Sequence, residues 1–178
     1  MRADARRNHE RLVAEARAAF AEHGTEASLE DIARRAGVGI GTLYRHFPSR
    51  DALLEALLRE RFDTLAAQAR EAPATRDALL SWTRTLTESS TAYRGLVTAF
   101  LTTLRDESSA LYASCKAMNA AASDLLARTQ KAGEIRPDLE PSEFLTLTYG
   151  IAWADEQVAA PPRRDRLLAL LFDGLRPS

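Results

Sequence analysis

The residues whose types could do chemistry lie close together. Between positions 40 and 47 the chain reads Ile-Gly-Thr-Leu-Tyr-Arg-His-Phe, and Thr42, Tyr44, Arg45 and His46 carry polar atoms. Hydroxyls, a guanidinium and an imidazole on one short stretch suit recognition of phosphate oxygens and base edges. They do not by themselves suit bond making, and no bond-making arrangement accompanies them. The chain has no Gly-x-Ser-x-Gly, no His-Glu-x-x-His, no Walker loop and no Cys/His cluster at metal spacing. No catalytic residue, metal or cofactor is therefore expected. The many carboxylates fall on charged helix faces, where solvation is the default.

The charge distribution agrees with a polyanionic partner. The net charge of the 178 residues is only -1, but residues 1–50 hold nine arginines against seven acids and the remainder carries the acidic excess. All three histidines, His9, His23 and His46, lie in the basic part. Arg2, Arg6 and Arg7 are either a basic arm reaching DNA or a solvated tail. The single cysteine, Cys115, excludes a disulfide within the chain. The charged start has no apolar leader segment, and no apolar run approaches the ~18 residues of a membrane span. A soluble cytoplasmic protein without membrane contact is expected.

The elements that must position residues 40–47 are helices. No alternating strand pattern or hairpin dipeptide is present, and Ala, Leu, Arg and Glu dominate. The first helix is predicted over about 5–22, with Leu12, Ala16, Ala19 and Phe20 on one face and Gly24 beyond its end. Ser28 caps a second, short helix that buries Leu29, Ile32, Ala33 and Ala36 and stops at Gly37. A third runs over about 40–46, stopped by Pro48; Leu43 and Phe47, four apart, pin it to its neighbours. Ser49 caps a fourth over about 50–70 with Leu53, Leu54, Leu57, Leu58, Phe62 and Leu65 inward. Five more follow, over about 75–90, 92–104, 108–132, 141–159 and 163–174, with Gly133 closing the third of these and Pro141 opening the fourth. An all-α fold of about nine helices results. A DNA-binding domain is expected over residues 1–48 and a second, helical domain over 49–178. Two short helices joined by Gly37-Val38-Gly39 make a helix-turn-helix over 28–47, whose second helix enters the major groove.

The stretch from 33 to 57, A-x-x-A-G-V-x-x-G-T-L-Y-R-H-F-P-S-R-D-A-L-L-E-A-L, closely resembles the signature of the TetR family of transcriptional regulators. The preceding A-x-x-x-F-x-x-x-G, from Ala16 to Gly24, is similar too. The resemblance covers about residues 8–60. It implies that Thr42 and Tyr44 bond phosphates, and that Arg45 and His46 contact backbone or base edges. Arg50, starting the fourth helix, would grip a phosphate, and Ile40 and Gly41 lie where family members meet bases. With the cap Ser28 these residues make up the expected DNA face. Gly39 stands where a capping Ser is common. Ile40 stands where many members are polar: its spacing to Leu43 and Phe47 suits core packing, and its side chain, if exposed, suits a thymine methyl.

The family further implies a homodimer on a palindromic double-stranded operator, released when a small molecule binds the C-terminal part. In the last two helices Ile151, Val158, Leu167, Leu168, Leu171, Phe172 and Leu175 are the expected dimer residues, unless they merely close the protomer's core. The segment 144–158 is apolar around most of its circumference and needs cover on several sides. Trp82, Tyr93, Phe100, Tyr112, Met118, Tyr149 and Trp153 either line an effector cavity or form plain core. Asn119 and Thr148 either orient that ligand or bond local backbone. Cys115 either joins the pocket and senses redox state or is an inert buried thiol. A ligandless dimeric DNA-binding or interaction protein, or an enzyme using the C-terminal cavity, are the rival readings.

Overall fold

The computed structural model describes residues 2–92, 106–157 and 163–177. The sixth predicted helix, with Tyr93 and Phe100, lies outside the described residues, and so does Val158. The described residues form α1 (Arg2–His23), α2 (Leu29–Arg35), α3 (Ile40–His46), α4 (Arg50–Glu71), α5 (Arg76–Ala92), α6 (Ala110–Lys131), α7 (Pro141–Gln157) and α8 (Arg164–Gly174), with a 3-10 turn at Gly24–Glu26. None of them is a strand, so the all-helical expectation stands. No helix among them is long and apolar enough to cross a membrane.

The punctuation read from the sequence is realised in the backbone. Ser28 Oγ accepts from the Asp31 amide and Ser49 Oγ from the Ala52 amide. Each satisfies one of the amides that a helix start leaves without a partner. Gly37 and Gly133 adopt φ of +67° and +74°. At each the chain makes two backward bonds: Gly37 N–H to Arg34 O and Val38 N–H to Ala33 O, then Gly133 N–H to Gln130 O and Glu134 N–H to Thr129 O. This is the Schellman closure, which requires a left-handed residue that side chains disfavour. At the front, α1 begins at Arg2, and Arg6 and Arg7 pair with Glu10 and Asp4 on its surface. The two arginines are helical surface residues rather than an extended arm.

Two apolar cores share one helix. The first gathers Leu12, Ala16 and Phe20 of α1, Ile32 of α2, and Leu43 and Phe47 around α3 against Leu53, Leu54, Leu57 and Leu58 of α4. Leu111 of α6 joins it, fully buried. The second gathers Leu65, Ala66 and Ala69 of α4 with Leu79, Trp82 and Leu86 of α5, Met118, Leu125 and Leu126 of α6, Phe144 of α7 and Phe172 of α8. Phe62 packs against both. The cores therefore meet within α4.

The end of α4 is held by a residue that sequence reading missed. Pro73 has no N–H, so the Ala69 carbonyl lacks the donor that a continuing helix would supply. Arg128 of α6 provides one: Nη2 donates to Ala69 O and Nη1 to Ala72 O, both at 2.8 Å. Hydrogen bonds to charged groups contribute about 1.5–3 kcal/mol each. Because the site is part-exposed, the lower end applies: the two bonds together contribute about 3 kcal/mol, and Arg128→Met should lower the thermal midpoint by about 6–12 °C. Calorimetry checks this, with Arg128→Lys restoring only part of the loss.

Candidate nucleic-acid interface

α3 is built to present one face. Its inner residues Leu43 and Phe47 are buried, and its outer residues Ile40, Gly41, Tyr44 and Arg45 are exposed. Ile40 is 37% and Tyr44 48% exposed, large apolar surfaces left in water beside a cation. Ile40 lies outside the core that Leu43 and Phe47 fill. Thr42 is half-buried on the flank. Gly39 caps the helix from extended backbone without any side-chain bond, as the missing serine implies. Ser28 is exposed, its hydroxyl held to α2.

His46 is the last residue of α3. It is half-buried, with its ring edge-on to His9 of α1 at 5.8 Å between centroids, while His9 lies 4.9 Å from the Phe47 ring. It belongs in large part to the packing of α3 on α1. Burial, with His46 and Arg59 nearby, holds the His9 imidazole below its usual pKa and so favours its neutral form. Arg50 bonds within the protein. It is half-buried, and Nη1 donates to the Ala27 carbonyl at 2.6 Å. The neighbouring arginines are engaged as well: Arg34 pairs with Asp31, and Arg35 with Glu22.

The C-terminal expectations divide. Leu168 and Phe172 are fully buried within one protomer and Leu175 nearly so. Phe172 stacks edge-on to Phe144 at 6.4 Å, and Phe172 and Leu175 belong to the second core. Ile151, Leu167 and Leu171 are half-buried. The exposed large apolar side chains of α7 and α8 are instead Leu147, Tyr149, Trp153 and Leu170. α8 carries two apolar stripes, and a sequence pattern cannot say which one a core claims. Trp153, read as a cavity residue, is 63% exposed. Trp82, Met118 and Thr148 are buried; the Trp82 indole donates to Leu65 O and the Thr148 hydroxyl to Phe144 O, both at 2.9 Å. Tyr149 donates to Asn119 Oδ1 at 2.6 Å, and the Asn119 amide lies 3.9 Å from Cys115 Sγ, tying α6 to α7. Burial raises both the Tyr149 phenol and the Cys115 thiol above their usual pKa values, so the thiolate is disfavoured. Tyr112 is half-buried at the start of α6. An open cleft of about 630 Å³ runs along Arg136, Leu139, Glu143 and Leu147, and one of about 290 Å³ along His9, Arg17, Arg59 and Asp63. Neither includes a residue assigned to the effector pocket.

Comparison with known proteins agrees with this geometry. Residues 12–57 match the family model of bacterial regulatory proteins of the tetR family, and residues 72–177 match that of the SbtR-like transcriptional regulator C-terminal domain. The chain belongs to the TetR family. It is 35% identical to a TetR transcriptional regulator of Streptomyces coelicolor, covering 96% of this chain and 99% of that one with a TM-score of 0.77. A TetR transcription regulatory protein of Mycobacterium vanbaalenii is 34% identical over 98% of both chains, with a TM-score of 0.75. An HTH-type transcriptional regulator of Staphylococcus aureus is 39% identical over 64 residues, which span 35% of either chain. As in other TetR-family regulators, the DNA-binding unit is the helix-turn-helix of α2 and α3.

Gly41 offers a test of what α3 meets. A Cβ built there finds nothing within 4 Å, so the protein's own packing does not require glycine. Gly41 is the second residue of α3, where glycine costs at most the roughly 1 kcal/mol relative to alanine of a helix interior. Gly41→Ala should therefore raise the stability of the free protein by up to about 1 kcal/mol while weakening operator binding. Denaturant unfolding and fluorescence anisotropy check the two signs separately.

Proposed function

We propose that the protein is a homodimeric repressor that binds a palindromic operator through α3 and leaves it when a small molecule occupies the C-terminal domain. The observation that carries the DNA half is the solvent-facing set Ile40, Gly41, Tyr44 and Arg45 on a helix pinned from behind by Leu43 and Phe47. A single such helix reaches few phosphates, and two-fold dimers on half-sites about 34–36 Å apart are the usual remedy. Thr42 and Tyr44 serve as phosphate donors. Arg45 reads a base edge, and the Ile40 side chain offers an apolar contact to a thymine methyl.

The dimer half rests on Leu147, Trp153 and Leu170, large apolar side chains left open on α7 and α8. Large aromatic side chains make good interface anchors. Release by a ligand follows the family's habit: a shift of α4 would change the spacing of the two recognition helices. A coupling of about 1–3 kcal/mol, roughly 5–150-fold in affinity, suffices. The buried Trp82 and Thr148, with their polar groups bonded to backbone, favour a second reading in which the regulator has no effector.

Selection of random duplexes with the purified protein should enrich a palindrome. No enrichment by an intact dimer would contradict the operator reading. Trp153→Glu should yield a folded monomer by light scattering and lose the palindrome. A metabolite screen by thermal shift, followed by operator release, separates the effector-responsive reading from the ligandless one.

A further inference from the structure

Arg50 occupies the first position of α4, the helix shared by both cores. A cation there faces the positive end of the helix dipole, an unfavourable place unless a partner compensates. In the resemblance that partner would be a DNA phosphate. In the structure Nη1 instead reaches back 23 positions to the Ala27 carbonyl at 2.6 Å, part-buried. Ala27 is 2% exposed, and the next residue, Ser28, is the cap of α2. The ladder of α2 starts with the Ser28 carbonyl, which accepts from the Ile32 amide. The Ala27 carbonyl therefore lies just outside that ladder, and the guanidinium supplies a charge-assisted donor to it.

This bond joins the first turn of α4 to the chain at the entry of α2. The Gly37 turn then carries α2 directly into α3. We infer that Arg50 is a positioning residue: its bond to the Ala27 carbonyl sets the angle of the α2–α3 pair on α4, and with it base discrimination, rather than adding phosphate affinity. The inference rests on the operator reading above. It assigns Arg50 a role different from the phosphate grip that the family resemblance implies.

The two roles differ in what they do to specificity and salt dependence. A residue that orients the recognition helix matters for base contacts and leaves non-specific, counterion-driven binding in place. A phosphate contact weakens binding to every sequence and lowers the slope of log K against log salt by about 0.9 per protomer. Arg50→Met keeps the apolar stem and removes the donors and the charge. Its binding to the selected palindrome and to a scrambled duplex is measured by anisotropy between 50 and 200 mM salt, a range over which phosphate contacts tell strongly. The expected result is roughly a tenfold or greater loss on the palindrome, with the scrambled duplex within about twofold and an unchanged salt slope. Equal losses on both duplexes with a flatter slope would overturn the inference, as would no loss on either.

Two measurements without selected DNA keep the test independent of the operator. In the free variant, hydrogen exchange at Asp31 and Ile32 should accelerate while Leu125 and Leu126 of α6 stay protected; unchanged exchange at Asp31 and Ile32 overturns the inference. In the wild type, the Arg50 guanidinium resonances should be resolved in the free protein and nearly unmoved when a duplex is added. A large shift on adding a duplex assigns Arg50 to phosphate instead. If the wild type enriches no palindrome, the operator reading fails while these exchange rates still decide whether the bond positions α2.

Discussion

The burial of one continuous apolar stripe along α4 is the constraint on which the rest depends. Leu53, Leu54, Leu57 and Leu58 pack with the helix-turn-helix, Leu65, Ala66 and Ala69 pack with α5 and α6, and Phe62 touches both groups. Each fully buried leucine is worth about 1.5–3 kcal/mol. Neither core can shed its half of the helix without exposing several of them. Leu111 of α6 adds a contact from the C-terminal body directly into the N-terminal core. A displacement of α4 is thus felt at both ends of the molecule.

At the N-terminal end that constraint is converted into a presented surface. Leu43 and Phe47 are committed to the core, so Ile40, Gly41, Tyr44 and Arg45 must face outward. The geometry comes from packing and the recognition chemistry from the residues that packing leaves over. Two further contacts refine it. His9 and His46 pack α3 against α1, and Arg50 ties α4 to the entry of α2. At the C-terminal end the same logic leaves Leu147, Trp153 and Leu170 without cover.

Much of this was legible in the sequence because it is written in local rules. Gly37 and Gly133 mark helix ends since only glycine takes positive φ without strain, and Ser28 and Ser49 mark helix starts since their hydroxyls accept first-turn amides. The pinning of α3 by Leu43 and Phe47 followed from their spacing. What stayed hidden depends on partners distant in the chain. The carbonyl that Arg50 bonds, the Ala69 carbonyl that Pro73 leaves for Arg128, and the His9 ring beside His46 leave no periodic trace. The choice between the two apolar stripes of α8 was hidden for another reason: Leu168, Phe172 and Leu175 are no more hydrophobic than the outward Leu170. Only the shape of the second core selects among them.

The most direct measurement of the account is native-state hydrogen exchange along α4 in the free protein, followed through low concentrations of urea. If one stripe unites the two cores, amides on both sides of Phe62, such as Leu57 and Leu65, open in the same cooperative event with the same urea dependence. Exchange of Leu53 to Leu58 together with α1–α3 in a lower-energy opening, while Leu65 to Ala69 stay protected, would contradict it.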